Sequence, residues 1–548
     1  MRKTNPAIRQ LSTGINDFPT LIGNPRAKYV DKTALLYELA NGVDQQFFIS
    51  RPRRFGKSLM LSTLQAMFEG RRELFKGLAL DRLPWECWDE KRRFPVYRFT
   101  MADAVGETFD EFTEQLDALL EGLFATAGLP VPKMKSIAGK FNSFIKAAAA
   151  KSPTGKIVVL IDEYDEPVAK YLGDLKTLRR TRLLLHDFYE KLKTNSELVR
   201  FVMMTGVTKL TKLSVFSGLN HLVDLSMSSR YATLLGYTHE ELDSVLRENI
   251  EVFSAVKGWN FATAKERLLE WYDGYRFSPE NEARVFNPVS LGKLFSDGEG
   301  VLKSYWETTG SSTLIFNRLR ATGKMPPDLE HVTADAMMLD VCDAETLPIE
   351  ALLYQGGYLT IKEVIPAPKQ TPEEAAKDPK MDTYLLAPPN LEIRAALKRG
   401  YISQVLHLRE NAFNTLVDHA KLQLASGDLK AFLCESLYGL YASIPPDWHI
   451  KDEAEAKRYF LLFTTLCGAN PQPEVPSMLG YADAVVERPG AVYVFEFKYR
   501  RSAKDAIRQI RERGYADKWA GGVRPVTLIG INFNPTKRNI DLPIIEPL

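Results

Sequence analysis

The chain has 548 residues, of which 26% are charged, and its 71 Lys and Arg against 69 Asp and Glu give a formal net charge of +2. At about 100 to 200 residues per domain, this length predicts three or four domains and excludes a small disulfide scaffold or a disordered tail. The near-neutral balance argues against a surface that is basic throughout, although one domain can still carry a basic patch that binds nucleic acid.

The cysteines and the N-terminal segment indicate the compartment. The four cysteines lie far apart, with no CxxC pair and no histidine at ligand spacing: Cys87, Cys342, Cys434 and Cys467. They predict free thiols in a reducing cytoplasm rather than a zinc site or a disulfide framework. No run of 18 apolar residues occurs, and residues 1–18 lack the apolar stretch of a secretory signal. We therefore expect a cytoplasmic protein with no membrane partner.

The first half of the chain alternates strand and helix patterns, which is typical of an α/β domain with a largely parallel sheet. The runs at 157–161 and 201–204 are continuously apolar and short, as expected of central strands that are buried on both faces. The other predicted elements are strands at 46–50 and 94–99 and helices at 57–68 and 109–126.

Helix patterns dominate from about residue 237, where we expect a second domain to begin, and they are clearest at 240–248 and 262–272. A helix, a strand, a loop rich in Pro and charge, a strand and a helix then follow at 349–354, 356–361, 366–382, 383–386 and 390–398. The loop is expected to be a mobile hairpin tip. This order suits a winged-helix unit, and it also suits many other small α+β modules.

The last third of the chain predicts a helical connector and then a compact α/β/α unit. The connector pattern runs over 405–440. From about residue 452 the predicted order is helix, two strands, helix and strand, at 454–466, 482–486, 492–498, 503–518 and 525–531.

A phosphate-binding loop is predicted where Gly56, Lys57 and Ser58 stand between a strand and a helix. The free N–H groups and the positive end of the helix dipole favour phosphate there, Lys57 would reach the β- and γ-phosphates, and Ser58 would bind Mg²⁺. The full GxxxxGK[ST] motif requires Gly at position 51, where this chain has Arg51. Neighbours that we include in the ATP site are Arg54, Phe55 and Leu59.

A second motif, KIVVLIDEYDEP, supports this prediction. Its apolar strand ends in Asp162, which fits a Mg²⁺ ligand of the Walker B type, and Glu163 is placed to polarise the attacking water. The alternative is a solvated turn whose carboxylates cap a helix. Thr205, at the end of the next strand, is placed to sense the γ-phosphate, although threonine is also common in strands and at helix caps.

Several runs of the chain resemble the AAA-ATPase-like proteins of bacteria and archaea that are fused to a C-terminal PD-(D/E)XK nuclease-like domain. They are KYVDKT, RPRRFGKS, LIDEYDEP, TGVTKLTKLSVFSGLNHLVDLS, WYDGYRF and VFNPVSL. The resemblance covers almost the whole chain, and Arg51 in place of the first glycine is usual for that family. It implies ATP binding by Lys57, Ser58, Asp162 and Glu163 in the roles given above, and it supplies no known substrate.

The fold that the resemblance implies is α/β throughout. Residues 1–236 would form the N-terminal segment and a P-loop, AAA-type ATPase domain with a parallel sheet. Residues 237–400 would form a helical lid with a winged-helix-like part, and residues 401–451 a helical connector. Residues 452–548 would form an α/β/α domain of the restriction-endonuclease type.

Three arginines of the phosphate loop allow two interpretations: Arg51, Arg53 and Arg54. They add positive charge beside the nucleotide phosphates or contact a neighbouring subunit or polyanion, or else they solvate a turn and pair with nearby acids. Candidates for an arginine finger that acts on a second copy of the chain are Arg179, Arg180 and Arg230. The sequence therefore leaves open whether the protein forms a homo-oligomer.

The second chemical site is predicted in the run GYADAVVERPGAVYVFEFKYR. Alternation along a strand puts Glu496 and Lys498 on one face, and Asp483 lies on the adjoining strand beyond a Pro-Gly turn. Two carboxylates can hold Mg²⁺ while a lysine orients or activates water for phosphodiester hydrolysis. Glu455 could add a carboxylate, and Gln509 completes an arrangement often seen in this nuclease superfamily. The alternative is a cross-strand ion pair on a half-exposed sheet.

Two departures from the nuclease motif concern geometry rather than metal binding. Ala482 stands in place of the proline that names the motif, and Tyr481 in place of a basic residue. Basic residues follow the motif at Arg500, Arg501, Lys504, Arg508, Arg511, Arg513 and Lys518. They suit a phosphate backbone or a solvated helix face, and they predict weak sequence preference.

The predicted function is a P-loop ATPase coupled to a Mg²⁺-dependent nuclease that acts on DNA rather than RNA. Its cofactors would be ATP and Mg²⁺. The alternative is a nucleotide-dependent switch whose C-terminal domain binds nucleic acid or protein without cleavage. A third possibility is an assembly protein that uses ATP to form rings.

Overall fold

The computed structural model describes residues 8–209, 222–306, 315–316, 331–339, 348–371, 376–400, 410–445, 450–469 and 471–548. Three features of the sequence lie outside these residues. They are Cys342, part of the run TGVTKLTKLSVFSGLNHLVDLS, and the start of the predicted connector at 405–440. The described residues up to Ala396 form one compact unit, and those from Leu397 form a second. Among the described residues, no helix is both long enough and apolar enough to cross a membrane.

A five-stranded parallel sheet forms the core of the N-terminal part of the first unit. Its strands are β1 (Gln46–Ser50), β2 (Val96–Thr100), β3 (Ile157–Asp162), β4 (Val199–Gly206) and β5 (Val223–Asp224), in the order β5-β1-β4-β3-β2. Every residue of β1 and β3 is buried, which explains their continuous apolar sequences. The longer helices of this part are α1 (Lys57–Phe68), α2 (Phe109–Thr126), α3 (Ile137–Lys151) and α4 (Leu175–Thr194). The predicted parallel α/β domain is confirmed.

Short elements precede and follow this sheet. Strands Gln10–Leu11 and Ala27–Lys28 pair in parallel. Helices Phe18–Gly23 and Thr33–Ala40 precede β1 in the chain, and helix Glu166–Lys170 lies between β3 and α4. The predicted helix over 240–248 is two helices, His239–Ser244 and Arg247–Lys257. The first begins with a capping box between Thr238 and Glu241. Helices Phe261–Tyr272 and Pro288–Ser296 complete this helical region, which shares one apolar core.

A small antiparallel sheet follows in the first unit. Strands Thr360–Ile365 and Thr383–Ala387 form the predicted hairpin, and Val332–Asp335 is a third strand that the sequence pattern did not indicate. The first strand begins at Thr360 rather than at 356, because Gly357 takes a positive φ of 81° in the turn after helix Ile349–Gln355. Helix Leu391–Gly400 follows the sheet.

Glu392 ties this helix to an earlier segment of the first unit. Its Oε1 accepts hydrogen bonds from the backbone N–H groups of Tyr305 at 2.7 Å and Trp306 at 2.9 Å, while its Oε2 is buried with no hydrogen-bond partner. Burial raises the pKa of Glu392 to about 7. The folded protein therefore binds a proton here more tightly than the unfolded chain does.

We expect the Glu392→Gln protein to melt about 2 to 4 °C above the wild type at pH 8, with the gap closing towards pH 5. A carboxyl group with a raised folded-state pKa contributes stability that is lost as the pH rises from the unfolded value towards about 7. The amide keeps the acceptor oxygen without that loss. Thermal unfolding across this pH range measures the effect, and parallel melting curves for the two proteins would contradict it.

The second unit contains a mixed sheet with helices. Helix Glu410–Ser426 is followed by a helical stretch made of Leu429–Ala431, the π-helical turn Phe432–Leu437 and Tyr438–Ala442. Helix α5 (Glu453–Leu466) comes next in the chain. The strands are β6 (Gln472–Ser477), β7 (Gly480–Arg488), β8 (Ala491–Tyr499), β9 (Val526–Asn534), β10 (Asn539–Ile540) and β11 (Ile544–Pro547). Their order is β6-β7-β8-β9-β10, with β11 also paired to β9. The β8–β9 pair is parallel and is joined through α6 (Ala503–Glu512). The predicted α/β/α class is confirmed.

Two differences from the sequence prediction concern this unit. Helix α6 ends at Glu512 rather than at Lys518, since Gly514 takes a left-handed φ of 60° and a separate turn of 3₁₀ helix follows at Asp517–Trp519. The edge strand β6 was not predicted because its sequence, QPEVPS, carries two prolines and little apolar alternation.

Candidate functional site

The loop between β1 and α1 folds back over the side chain of Lys57, the first residue of α1. Gly56 has a left-handed φ of 91°, which favours glycine, and α1 begins at Lys57. The Lys57 Nζ donates to the carbonyl oxygens of Arg51 at 2.7 Å and Pro52 at 3.0 Å. Burial lowers the pKa of Lys57 to about 8, and the nearby Asp162 opposes that shift. The loop therefore presents a buried cation at the N-terminus of a helix.

Asp162, the last residue of β3, connects the two predicted nucleotide motifs. The Ser58 hydroxyl donates to its Oδ2 at 2.5 Å, and the Thr205 hydroxyl donates to its Oδ1. Glu163 follows with a positive φ of 50°, and its Oε2 accepts a hydrogen bond from the Thr100 hydroxyl at 3.3 Å. Burial, followed by the charge of Asp162, raises the pKa of Glu163. The structure thus places the GKS serine, the strand-end acid and the threonine of β4 in one hydrogen-bonded group.

A cavity of about 390 Å³ opens on this group, a volume within the range of small-molecule sites. The predicted residues that line it are Arg54, Phe55, Gly56, Lys57, Ser58, Leu59, Asp162 and Glu163. Thr205 is behind Asp162 and does not line it. Further lining residues are Tyr29, Lys32 and residues 234–237, which the sequence motifs did not assign to the site. Tyr29 and Lys32 belong to the KYVDKT run, which is the sequence signal that could have assigned them to the site.

Arg51 has a structural place that neither interpretation of the arginines anticipated. It is fully buried, and its Nη1 donates to the carbonyl oxygens of Ser50 at 2.9 Å and Ser226 at 2.7 Å. Its guanidinium lies 4.1 Å from the centre of the Phe277 ring, and burial lowers its pKa to about 10. Arg51 therefore anchors the loop to later segments of the first unit instead of facing phosphate or solvent.

The remaining arginines have partners or face the cavity. Arg53 pairs with Glu166 at 3.2 Å and also lines the cavity, as Arg54 does, so both interpretations stay open for it. Among the finger candidates, Arg180 lies over the Phe109 ring, and Arg230 pairs with Glu38 at 2.9 Å. The finger role stays a prediction for these residues and for Arg179.

The predicted nuclease residues come together on the β7–β8 hairpin. The ladder between these strands runs to the pair Ala484–Phe495, and Asp483 and Glu496 are the next residue on each strand. The Asp483 Oδ2 accepts the backbone N–H of Phe497 at 2.7 Å. Burial, followed by the charge of Asp483, raises the pKa of Glu496 to about 7. The strand register therefore places the two carboxylates next to each other on neighbouring strands.

Lys498 completes this group. Its Nζ lies 2.8 Å from the Glu496 Oε1 and donates to the Phe497 carbonyl oxygen at 2.6 Å. Glu496 is 1% exposed and Lys498 is 5% exposed, so this charged pair lies inside the domain rather than on a half-exposed sheet. The Glu496 Oε2 is buried with no hydrogen-bond partner. This oxygen is therefore an unused acceptor that can bind one more ligand.

Helix α5 brings a different acid to the group than the sequence predicted. The Glu455 carboxylate accepts the backbone N–H of Lys451 at 2.8 Å and so closes the start of the helix. Glu453 instead approaches the Lys498 Nζ at 3.9 Å, and burial raises its pKa. Lys457, also not predicted, donates to the Asp483 Oδ1 at 3.0 Å. Of these two acids, Glu453 rather than Glu455 lies beside Lys498, and a role of either in catalysis stays a prediction.

Gln509 lies on α6 and lines a cavity together with Lys498. Its Nε2 donates to the Tyr515 hydroxyl at 3.1 Å. In the described part of the chain, no three His, Cys, Asp or Glu side chains are gathered closely enough to hold a metal ion by themselves. Beside Lys498, the carboxylates that lie on neighbouring strands are Asp483 and Glu496.

Models of known protein families match residues in both units of the molecule. Residues 12–216 match the family model of predicted AAA-ATPases, and residues 451–542 match that of the PD-(D/E)XK nuclease superfamily. The chain is 32% identical over 551 residues to an uncharacterized protein in the vnfD 5′ region of Azotobacter chroococcum mcd 1, over 98% of this chain and 99% of that one. The chain therefore belongs to the AAA-ATPase-like family and carries a PD-(D/E)XK nuclease superfamily domain in its C-terminal region.

Proposed function

We propose that the protein binds and hydrolyses ATP in its first unit and cleaves DNA in its second unit with the help of Mg²⁺. The observation that carries the nuclease part is the buried Glu496 Oε2, which has no hydrogen-bond partner beside Asp483 and Lys498. Leaving such an oxygen unpaired costs about 1–3 kcal/mol, and a divalent cation would remove that cost. The donor set thus fits a metal site.

Asp483 and Glu496 would hold this ion, since Mg²⁺ prefers carboxylate oxygens and keeps several waters. When bound, the ion stabilises negative charge that develops on a phosphate group. Lys498 would orient a water molecule, because its Nζ is held in place by the Phe497 carbonyl oxygen and the Glu496 carboxylate. Glu453, near the same Nζ, supports that position.

In the nucleotide site, Lys57 would exchange its two carbonyl partners for the β- and γ-phosphates of ATP. Ser58 and Asp162 would hold Mg²⁺, which fits their direct contact, and Glu163 would polarise the attacking water. Thr205 would report the state of the γ-phosphate through Asp162. Residues 1–236 would form this ATPase domain, and residues 452–548 the nuclease domain.

DNA is the proposed substrate because the cavity lined by Lys498 and Gln509, called the nuclease cavity from here on, is rich in positive charge. Its cationic side chains are Lys498, Arg501, Arg508 and Arg513, against Asp505 and Glu512. Cations of this kind bind the phosphate backbone without distinguishing bases, so we expect weak sequence preference. The ATP state would control cleavage, and the setting would be the cytoplasm.

A second candidate function is a nucleotide-dependent switch whose C-terminal domain binds nucleic acid or protein without cutting. It is favoured by the two lysines that already neutralise the carboxylates. Lys457 pairs with Asp483 at 3.0 Å, and Lys498 pairs with Glu496 at 2.8 Å. In this case the charged group would be structural and ATP hydrolysis would act as a timer.

The test is incubation of the purified full chain with supercoiled and linear DNA in Mg²⁺ or Mn²⁺, with and without ATP. We expect cleavage by the wild type, loss of cleavage in the Lys498→Ala protein, and loss of ATP hydrolysis in the Lys57→Ala protein. If cleavage persists in the Lys498→Ala protein, the cleaving activity comes from a contaminant. ATP hydrolysis without cleavage under every condition would support the switch.

A further inference from the structure

The turn between β6 and β7 exposes large apolar side chains. Met478 and Leu479 form this two-residue turn and are 99% and 58% exposed, and Tyr481, at the start of β7, is 60% exposed. Two-residue hairpin turns favour Gly, Asn and Asp. The fold therefore does not require apolar residues at the turn, and exposed apolar side chains gathered at one turn make it a candidate interaction site.

This turn lies at the candidate nuclease cavity. Leu479 lines the same cavity as Lys498 and Gln509. Arg513 Nη1 donates to the Leu479 carbonyl oxygen at 3.3 Å, and the Ser477 hydroxyl donates to the Gly480 carbonyl oxygen at 3.0 Å. The apolar tip is thus held at the cavity that contains the proposed catalytic lysine.

The surroundings of the tip indicate the chemistry of its partner. Four cationic side chains share the cavity with Leu479, against two acids, and Asp505 is already paired with Arg508 at 2.6 Å. An apolar tip beside a cavity lined by four cations and two acids matches nucleic acid, whose phosphates attract cations while its bases offer flat apolar faces.

The adjacent edge strand argues against a protein partner that adds a strand. Strand β6 lies at the edge of the sheet, and its residues Pro473 and Pro476 lack the backbone N–H that pairing requires. A second copy or a peptide would meet an interrupted row of donors there. Of these partners, nucleic acid fits the tip best.

We propose that the Met478–Leu479 turn is a wedge that inserts between base steps of a DNA duplex bound in the nuclease cavity. Apolar side chains such as Met and Leu inserted in this way unstack the step and kink the duplex. The inference rests on the proposed nuclease function and specifies its substrate as duplex DNA that is opened or kinked beside the cleaved bond.

The test uses the full chain in EDTA, so that no DNA is cut, and a short duplex with 2-aminopurine at successive positions. We expect wild-type protein to raise the fluorescence of an unstacked base at least about twofold at one position. The Met478→Ser, Leu479→Ser double variant should bind the duplex within about tenfold of the wild-type affinity, measured by anisotropy, without that rise. Val523→Ser, an exposed apolar residue that does not line the cavity, is the matched control and should behave as wild type.

The outcomes separate the wedge from the nuclease function. A double variant that raises the fluorescence as the wild type does would overturn the wedge. So would a wild type that binds the duplex without any rise, and this result would leave the nuclease proposal standing. A wild type that binds no duplex in EDTA would also overturn the wedge, and cleavage in Mg²⁺ then tests the nuclease proposal separately. Equal melting temperatures of the variants and the wild type show that the domain is folded.

Discussion

Replacing Glu496 by Gln is expected to lower Mg²⁺-dependent DNA cleavage by about 10³-fold or more, while ATP hydrolysis changes by less than about twofold. The amide has the shape of the carboxylate and keeps an acceptor oxygen for Lys498. It lacks the negative charge that a divalent cation needs, and its NH₂ group cannot replace the unpartnered Oε2 as a ligand. The loss should therefore come from the metal site rather than from packing.

Two neighbouring acids give matched controls for this experiment. Glu455→Gln should cleave as the wild type does, since the Glu455 carboxylate binds the backbone N–H of Lys451. Glu453→Gln should reduce cleavage less than Glu496→Gln, because Glu453 approaches the Lys498 Nζ at a longer distance, 3.9 Å. Initial rates on linear DNA at several Mg²⁺ concentrations measure all three variants. Unchanged cleavage by Glu496→Gln, in protein that melts normally, would favour the switch.

Local sequence signals predicted the elements around the ATP site well. Strand Gln46–Ser50 and helix Lys57–Phe68 have the predicted limits, because a fully buried apolar run and the Gly56 turn are both visible in the sequence. The short apolar runs that became β3 and β4 were recognised for the same reason. Period-two alternation likewise placed Glu496 and Lys498 on one face of β8.

Contacts between residues distant in sequence could not be predicted in this way. The loop sequence allowed Arg51 a place near phosphate or a partner, or in a solvated turn, yet Arg51 is buried because Ser226 and Phe277 supply its partners from later segments of the chain. Glu453 and Glu455 are two residues apart on α5, so they point in different directions, and the sequence does not show which of them faces β8. Only the packing of the helix decides.

Replacing Glu163 by Gln is expected to lower ATP hydrolysis by about 10²–10⁴-fold while the affinity for ATP changes by less than about threefold. Glu163 lines the nucleotide cavity, and its backbone is held in a left-handed conformation that is unusual for glutamate and common at functional sites. The pKa of the Glu163 carboxyl group is raised, which brings it nearer to the pKa of an efficient general base. The amide can still accept a hydrogen bond from Thr100 but can take no proton.

Glu166→Gln is the matched control, since burial also raises the pKa of Glu166 but its carboxylate pairs with Arg53 and does not line the cavity. We expect its hydrolysis rate to stay within about threefold of the wild type. Phosphate release measures turnover, and a fluorescent ATP analogue measures binding. If Glu163→Gln loses binding as well as turnover, the side chain supports the shape of the site. If it hydrolyses ATP normally, another group activates the water, and the base must be sought elsewhere along the cavity wall.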